Sequence, residues 1–279
     1  TIKSGSIVSP ELPIEFINTG ELDIKTTYVL PVTIKSVEGI GVLQSAKTYY
    51  YVFRGASLIN VVCNISRNRA YPDFKNDSKF NNLTENTMEI LFKANSFPNT
   101  LNTLMGIESN YLLRIGDATI PNNQLQVATS VNNCTSADLQ LESGKWYHVA
   151  VAFNKGNVKV YINGVEKLSG STGKSSVSLG AKHTNEEDGS RCFWVGYSYK
   201  DDRYFDGVVS EVRIWNRALT AEEIQATNHF YTIEPESEGL IAYWKFDEGS
   251  GTVAKDYSVS GYDLTIEKEP KWESVSLPQ

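Results

Sequence analysis

Methionine and cysteine are scarce in this 279-residue chain, with two and three copies, and histidine occurs only three times. Cys63, Cys134 and Cys192 form no C-x-x-C pair, which excludes a zinc knuckle and a dense disulfide framework. Pairing of Cys134 with Cys192 stays open beside the plainer reading of three small buried thiols. No apolar run approaches the roughly 20 residues that a membrane-spanning helix needs; the longest, such as 149–153, have the length of a strand. Positive charge is also in deficit. With 26 Lys and Arg against 33 Asp and Glu, the net charge is −7, and no nucleic-acid partner is expected because phosphate neutralisation dominates such binding. The opening Thr1-Ile-Lys-Ser-Gly lacks a charged and then apolar leader, so the chain reads as trimmed, with any export signal already removed.

Aromatic residues are plentiful, with 15 Tyr, 11 Phe and 5 Trp, a bias that suits strands. Tyr28, Leu30, Val32 and Ile34 alternate with other residues at period two, and Pro31 among them marks an edge position. Two further strand-like runs follow at 48–53 and 58–63. The polar, turn-rich stretch beginning at Ser66 is the expected boundary, giving a small β-sandwich domain over 1–66 and a larger domain over 67–279. In the latter, 146–153 is apolar on both faces, as in a central covered strand. Asn163-Gly164 is a hairpin turn. Thr220 with Glu223 forms a capping box that opens one short helix, expected over 221–228.

Three motifs in order carry a family resemblance: Trp146-Tyr-His-Val-Ala-Val-Ala-Phe-Asn154, Val158-Lys-Val-Tyr-Ile-Asn-Gly-Val165, and the run from Phe205 through Glu211-Val-Arg-Ile-Trp-Asn-Arg-Ala-Leu to Ile224. Together they resemble laminin G-like, concanavalin A-like domains. The resemblance implies an all-β jelly roll of two antiparallel sheets. Such domains commonly begin with a strand like Gly239-Leu-Ile-Ala-Tyr-Trp-Lys-Phe-Asp247, which here comes near the end. We therefore expect the C-terminal strand 239–247 to fold back and close the sandwich. The motifs 28–36 and 45–52 look like the immunoglobulin-like N-terminal domain of surface lipoproteins from Gram-negative gut bacteria. That likeness implies export to the outer-membrane surface or periplasm, with a lipid anchor upstream.

The same fold carries glycoside hydrolases, whose paired carboxylates lie about 5–5.5 Å apart in retaining enzymes. No Glu-x-Asp-x-(x)-Glu strand occurs. Glu234-Pro-Glu-Ser-Glu238 reads as an acidic loop, Glu21-Leu-Asp23 has no third member, His148 as a core imidazole, and His183 and His229 as loop residues. No catalytic residue is expected. Calcium, common at the rim of laminin G-like domains, would need several oxygen ligands. The candidates are Asp247, Asp256 and Asp263, with Glu186-Glu-Asp188 and Asp201-Asp202 plus Asp206 as further clusters; Asx-turn capping explains Asp256 and Asp263 equally well. For a sugar, aromatic faces beside polar groups are required, and His183, Trp194, Tyr197, Tyr199, Asp201, Arg203 and Tyr204 supply that mixture. The sequence thus points to a non-catalytic surface protein that binds a glycan. A structural or protein-binding module and a divergent glycoside hydrolase are the alternatives.

Overall fold

The structure, a computed structural model, describes residues 26–38, 41–54, 58–183 and 191–278, with Ile14 and Leu22. The chain divides into two compact units, Thr1–Leu58 and Ile59–Gln279. In the first, Thr27–Thr33 and Thr48–Arg54 pair antiparallel, with Pro31 opposite Tyr50. The Thr33 and Thr48 hydroxyls close the register at 3.0 Å. Glu21 and Asp23 fall outside the described residues.

The division falls earlier than the expected 66/67 boundary, and the strand Ile59–Asn64 explains why. It pairs with Gly207–Trp215 on one side and with Lys271–Leu277 on the other. Cys63 faces the main core, while Val62 joins a separate apolar cluster with Ile59, Leu91, Val208 and Leu277. A strand apolar on both faces needs cover on both, which the large unit provides. The turn-rich stretch after it is an internal connection between two sheets.

The large unit is a sandwich of two eight-stranded sheets. The first runs in the order Val165–Ser171, Asn157–Ile162, Trp146–Asn154, Glu85–Ala94, Gly207–Trp215, Ile59–Asn64 and Lys271–Leu277. Leu240–Trp244 lies beside the far half of Gly207–Trp215, along the edge whose near half takes Ile59–Asn64. The second sheet runs Val253–Ala254, Leu264–Ile266, Ala70–Pro72, Trp194–Val195, Asn102–Ile107, Tyr111–Asp117, Ile120–Thr129 and Cys134–Gln140. All of these pairings are antiparallel. The C-terminal segment therefore contributes strands to both sheets.

Alternation decides how that segment packs. Ala242, Trp244 and Phe246 enter the core between the sheets, whereas Tyr243 points to a second apolar layer with Trp215, Leu219 and Ile224. This second layer is roofed by the helix, which spans Ala221–Ile224 and is shorter than expected. The Thr220–Glu223 capping box is fully formed. Gln225 ends the helix by donating its side-chain amide to the Gly164 carbonyl at 2.7 Å, and Asn228 then takes a left-handed φ of 65°, which a continuing helix excludes. Cys63, Cys134 and Cys192 are all buried, and no disulfide joins Cys134 to Cys192.

Candidate functional site

Four connections converge at one end of the sandwich: the turn at Ser66 and Arg67, the loop at Ser96 to Asn99, the segment Asp201 to Asp206, and the turn at Lys268. They enclose a cavity of about 760 Å³ whose wall also includes Pro98, Tyr204 and Phe205. Gly207 makes this gathering possible. A Cβ there would lie 2.4 Å from the Lys93 carbonyl oxygen and 2.6 Å from the Phe205 ring, so only glycine permits the close approach.

Asp206 stitches the loops together. Its carboxylate accepts from the Ser66 hydroxyl at 2.7 Å, the Ser96 hydroxyl at 2.5 Å and the Asn95 amide at 3.3 Å. Partial burial acts to raise its carboxyl pKa, but the donors from Ser96, Ser66 and Asn95 outweigh this and hold it below the usual value. Asn99 donates to the Tyr204 carbonyl at 3.0 Å and fixes the adjacent wall. Burial pushes the Tyr204 phenol up to about 12, so the ring stays neutral and able to donate a hydrogen bond.

Of the sequence-predicted sugar residues, the structure brings Asp201 and Tyr204 to this cavity. Trp194 and Tyr197 are each only 4% exposed, so neither is the open platform expected. They pack edge to face at 5.1 Å, and the Arg69 guanidinium lies 5.1 Å from the Trp194 ring and 4.5 Å from that of Tyr197. His183 stacks on Tyr71 at 3.5 Å and places Nδ1 3.1 Å from the Cys192 sulfur. Arg203 is paired with Glu108 at 2.8 Å. Tyr199 stands beside Arg191, Lys200 and Arg203 rather than in the cavity wall. The sequence reading missed Ser66, Arg67, Ser96, Asn99 and Lys268 because single polar residues in turns carry no periodic signal.

A second polar group lies buried on the outer side of the first sheet. Glu89 Oε1 is 2.6 Å from His229 Nε2 and 3.4 Å from His148 Nε2. Glu89 Oε2 accepts from the Trp215 indole at 2.7 Å and faces Arg213 at 3.7 Å. Arg213 also binds Glu211, which accepts from the Tyr243 hydroxyl at 2.7 Å. His148 is the core imidazole expected, and His229, in a loop as expected, is buried as well. Among the described residues, Glu89, His148 and His229 are the one trio of His, Cys, Asp or Glu ligand atoms within 4.8 Å of one another. Burial acts to raise the Glu89 carboxyl, yet His148 and His229 beside it hold it well below the ordinary value. Burial lowers the His148 imidazole, with the Glu89 carboxylate opposing.

The family model of the concanavalin A-like lectin/glucanases superfamily matches residues 68–225, more than half of the chain. The chain belongs to the concanavalin A-like lectin/glucanase superfamily. A candidate carbohydrate-binding protein from Bacteroides ovatus superposes with a TM-score of 0.69 at 27% identity, covering 91% of this chain and 70% of that one. Domain 4 of AbnA, an extracellular GH43 arabinanase from Geobacillus stearothermophilus solved with arabinotriose, reaches a TM-score of 0.45 at 20% identity, over 77% of this chain and 91% of that domain. A heptameric pentraxin from Limulus polyphemus reaches 0.42 at 15% identity, over 62% of this chain and 82% of its own. No curated protein matches the sequence.

Two of the candidate calcium residues, Asp256 and Asp263, are engaged by backbone donors. Asp256 accepts from the backbone amides of Tyr243, Ser258 and Tyr262 at 2.9, 2.9 and 2.8 Å, while Asp263 accepts from the Asp256 amide at 2.8 Å. Carboxylates aimed at backbone donors act as turn caps, and burial raises the Asp256 carboxyl pKa. The cluster Glu186-Glu-Asp188 lies outside the described residues. Among the described residues no helix is long and apolar enough to cross a membrane.

Proposed function

We propose that this chain binds carbohydrate without catalysing its cleavage, through the cavity between the Ser66, Ser96, Asp206 and Lys268 connections. The observation that carries this reading is the lining: the Tyr204 ring beside hydroxyl, amide and carboxylate groups around 760 Å³ of space, the mixture that orients a ligand bearing many hydroxyls. The Bacteroides ovatus protein, at 27% identity and over most of this chain, supports the same reading. Asp206 is committed to three donors and held ionised, which suits a hydroxyl acceptor and not the proton donor that glycoside hydrolysis requires. Carboxyls that burial raises, Glu211, Glu248 and Asp256, are not among the cavity residues. A glycan partner at the outer-membrane surface or in the periplasm of a Gram-negative bacterium completes the proposal, with a protein partner as the alternative.

A glycan array followed by calorimetry tests it. The expected result is retention of a specific oligosaccharide, weakened about tenfold by Tyr204→Ala, the worth of roughly 1.4 kcal/mol of lost stacking. Release of reducing ends would overturn the non-catalytic part. Failure of every glycan to bind, with retention of a partner protein, would favour the interaction module.

A further inference from the structure

The cavity wall carries two cations whose neighbours leave them unsatisfied. Arg67 and Lys268 sit on different turns, about 200 positions apart in sequence, yet both line the same space. Buried Asn68 joins those turns by a two-way clasp. Its amide donates to the Lys268 carbonyl at 2.7 Å, and its side-chain oxygen accepts from the Lys268 backbone amide at 3.1 Å. Beside the clasp, Arg69 grips Glu267 through two hydrogen bonds of 2.9 and 2.5 Å.

The nearby acids are largely spent. Glu267 is held by Arg69, Glu108 by Arg203, and Asp206 by two hydroxyls and an amide. Neither the Arg67 guanidinium nor the Lys268 ammonium makes a hydrogen bond or ion pair among the described residues, and only Asp201 among the lining carboxylates lacks donors of its own. In a chain of net charge −7, two cations lining one space, Arg67 beside the already engaged Asp206 carboxylate, form a local acceptor for negative charge. A guanidinium presents parallel donors that match a carboxylate or sulfate, and an ammonium adds a point charge.

We propose that the cavity selects anionic sugar units, with Arg67 and Lys268 taking the acidic group while Tyr204 and Asn99 flank the ring. This rests on the carbohydrate-binding reading above and names the ligand class of that same site. The geometry assigns Arg67 and Lys268 to specificity and Asn68 to positioning them.

The test is calorimetry on the whole chain with three probes of equal length: an oligogalacturonide, a sulfated oligosaccharide and an uncharged oligoglucoside. The expected result is tighter binding of an acidic probe, weakened about tenfold or more by the double variant R67A/K268A and by added salt. Which of the two acidic probes binds distinguishes uronate from sulfate. Asn68→Ala is expected to weaken acidic binding as well, and Asn68→Asp to weaken it further because a carboxylate then faces the Lys268 carbonyl. If the uncharged probe binds as well as the acidic ones, and Tyr204→Ala weakens it while R67A/K268A does not, the anionic assignment falls and the cavity reading survives. If no probe binds and a wider glycan array is silent, both fall together.

Discussion

The buried Glu89–Arg213 cluster and the rim cavity use nearly the same residue types to opposite ends. In the cluster, two carboxylates pair inside the protein with a guanidinium, the His229 imidazole, an indole and a phenol, while both His148 ring nitrogens and Arg213 Nε make no hydrogen bond. In the cavity, Asp206 is satisfied in the same way, but Arg67, Lys268 and Asp201 are turned toward open space. Buried charge without a partner is costly, so the pairing of these carboxylates with Arg213 is a condition of folding. Charge left open at a rim costs little there and remains available to a ligand. Composition alone does not tell scaffold from site; burial and the pairing of charge do.

The largest test of that contrast is Glu89→Gln. The substitution keeps the shape but leaves Arg213 buried beside one carboxylate fewer, and an interrupted buried pair costs about 3–5 kcal/mol. Urea unfolding should show a loss of that order, whereas R67A/K268A should move the midpoint hardly at all. Equal destabilisation by the two variants would erase the distinction between scaffold and site.

The next test is pH. His148 has its native pKa lowered by burial, so below about pH 6.5 the unfolded chain takes up a proton that the native protein refuses. Stability therefore falls as pH falls, at no more than about 1.4 kcal/mol per pH unit for one such group. Glu89, also lowered, keeps its contribution above the ordinary glutamate range and loses it as pH drops through the native value. Glu211, raised by burial, works in the reverse sense. Comparing melting temperatures between pH 7 and 5 with those of His148→Gln isolates the imidazole: the variant should show the flatter profile. An unchanged slope would mean that His148 accepts its proton inside the fold.

Much of the architecture is legible because local pattern and tertiary demand agree. Asn163 and Gly164 both adopt positive φ, 49° and 77°, as the hairpin signal requires. Ala242, Trp244 and Phe246 share the core face that their alternation implies. Reading fails where partners come from afar. Trp194 and Tyr197 have the composition of a sugar platform, but Arg69 and Tyr71, more than 100 positions earlier, cover them. His229 follows a helix end and reads only as a loop residue; Glu89 and the Arg213 fork, which binds its carbonyl at 2.7 Å, draw it inward. Ile59–Asn64 looks like the end of a small domain because its neighbours in the sheet lie at 207–215 and 271–277. The boundary residues after Ser66 are ordinary turn formers, and nothing in their spacing announces that Asp206 will gather them.

The smallest expected effect is at Ser96. Its hydroxyl gives Asp206 one of three donors at an exposed rim, so Ser96→Ala should cost about 1 kcal/mol, the net worth of one hydrogen bond. The Asp206 pKa, held down partly by that donor, should rise, which carbon-detected NMR titration reads directly. Since a depressed carboxyl lends stability only above its unfolded pKa, the deficit should vanish as acid protonates Asp206 in both proteins. A loss several times larger, persisting at low pH, would place the rim in the same class as the Glu89 network. Asp206 would then be a structural keystone, with ligand binding left to Arg67 and Lys268.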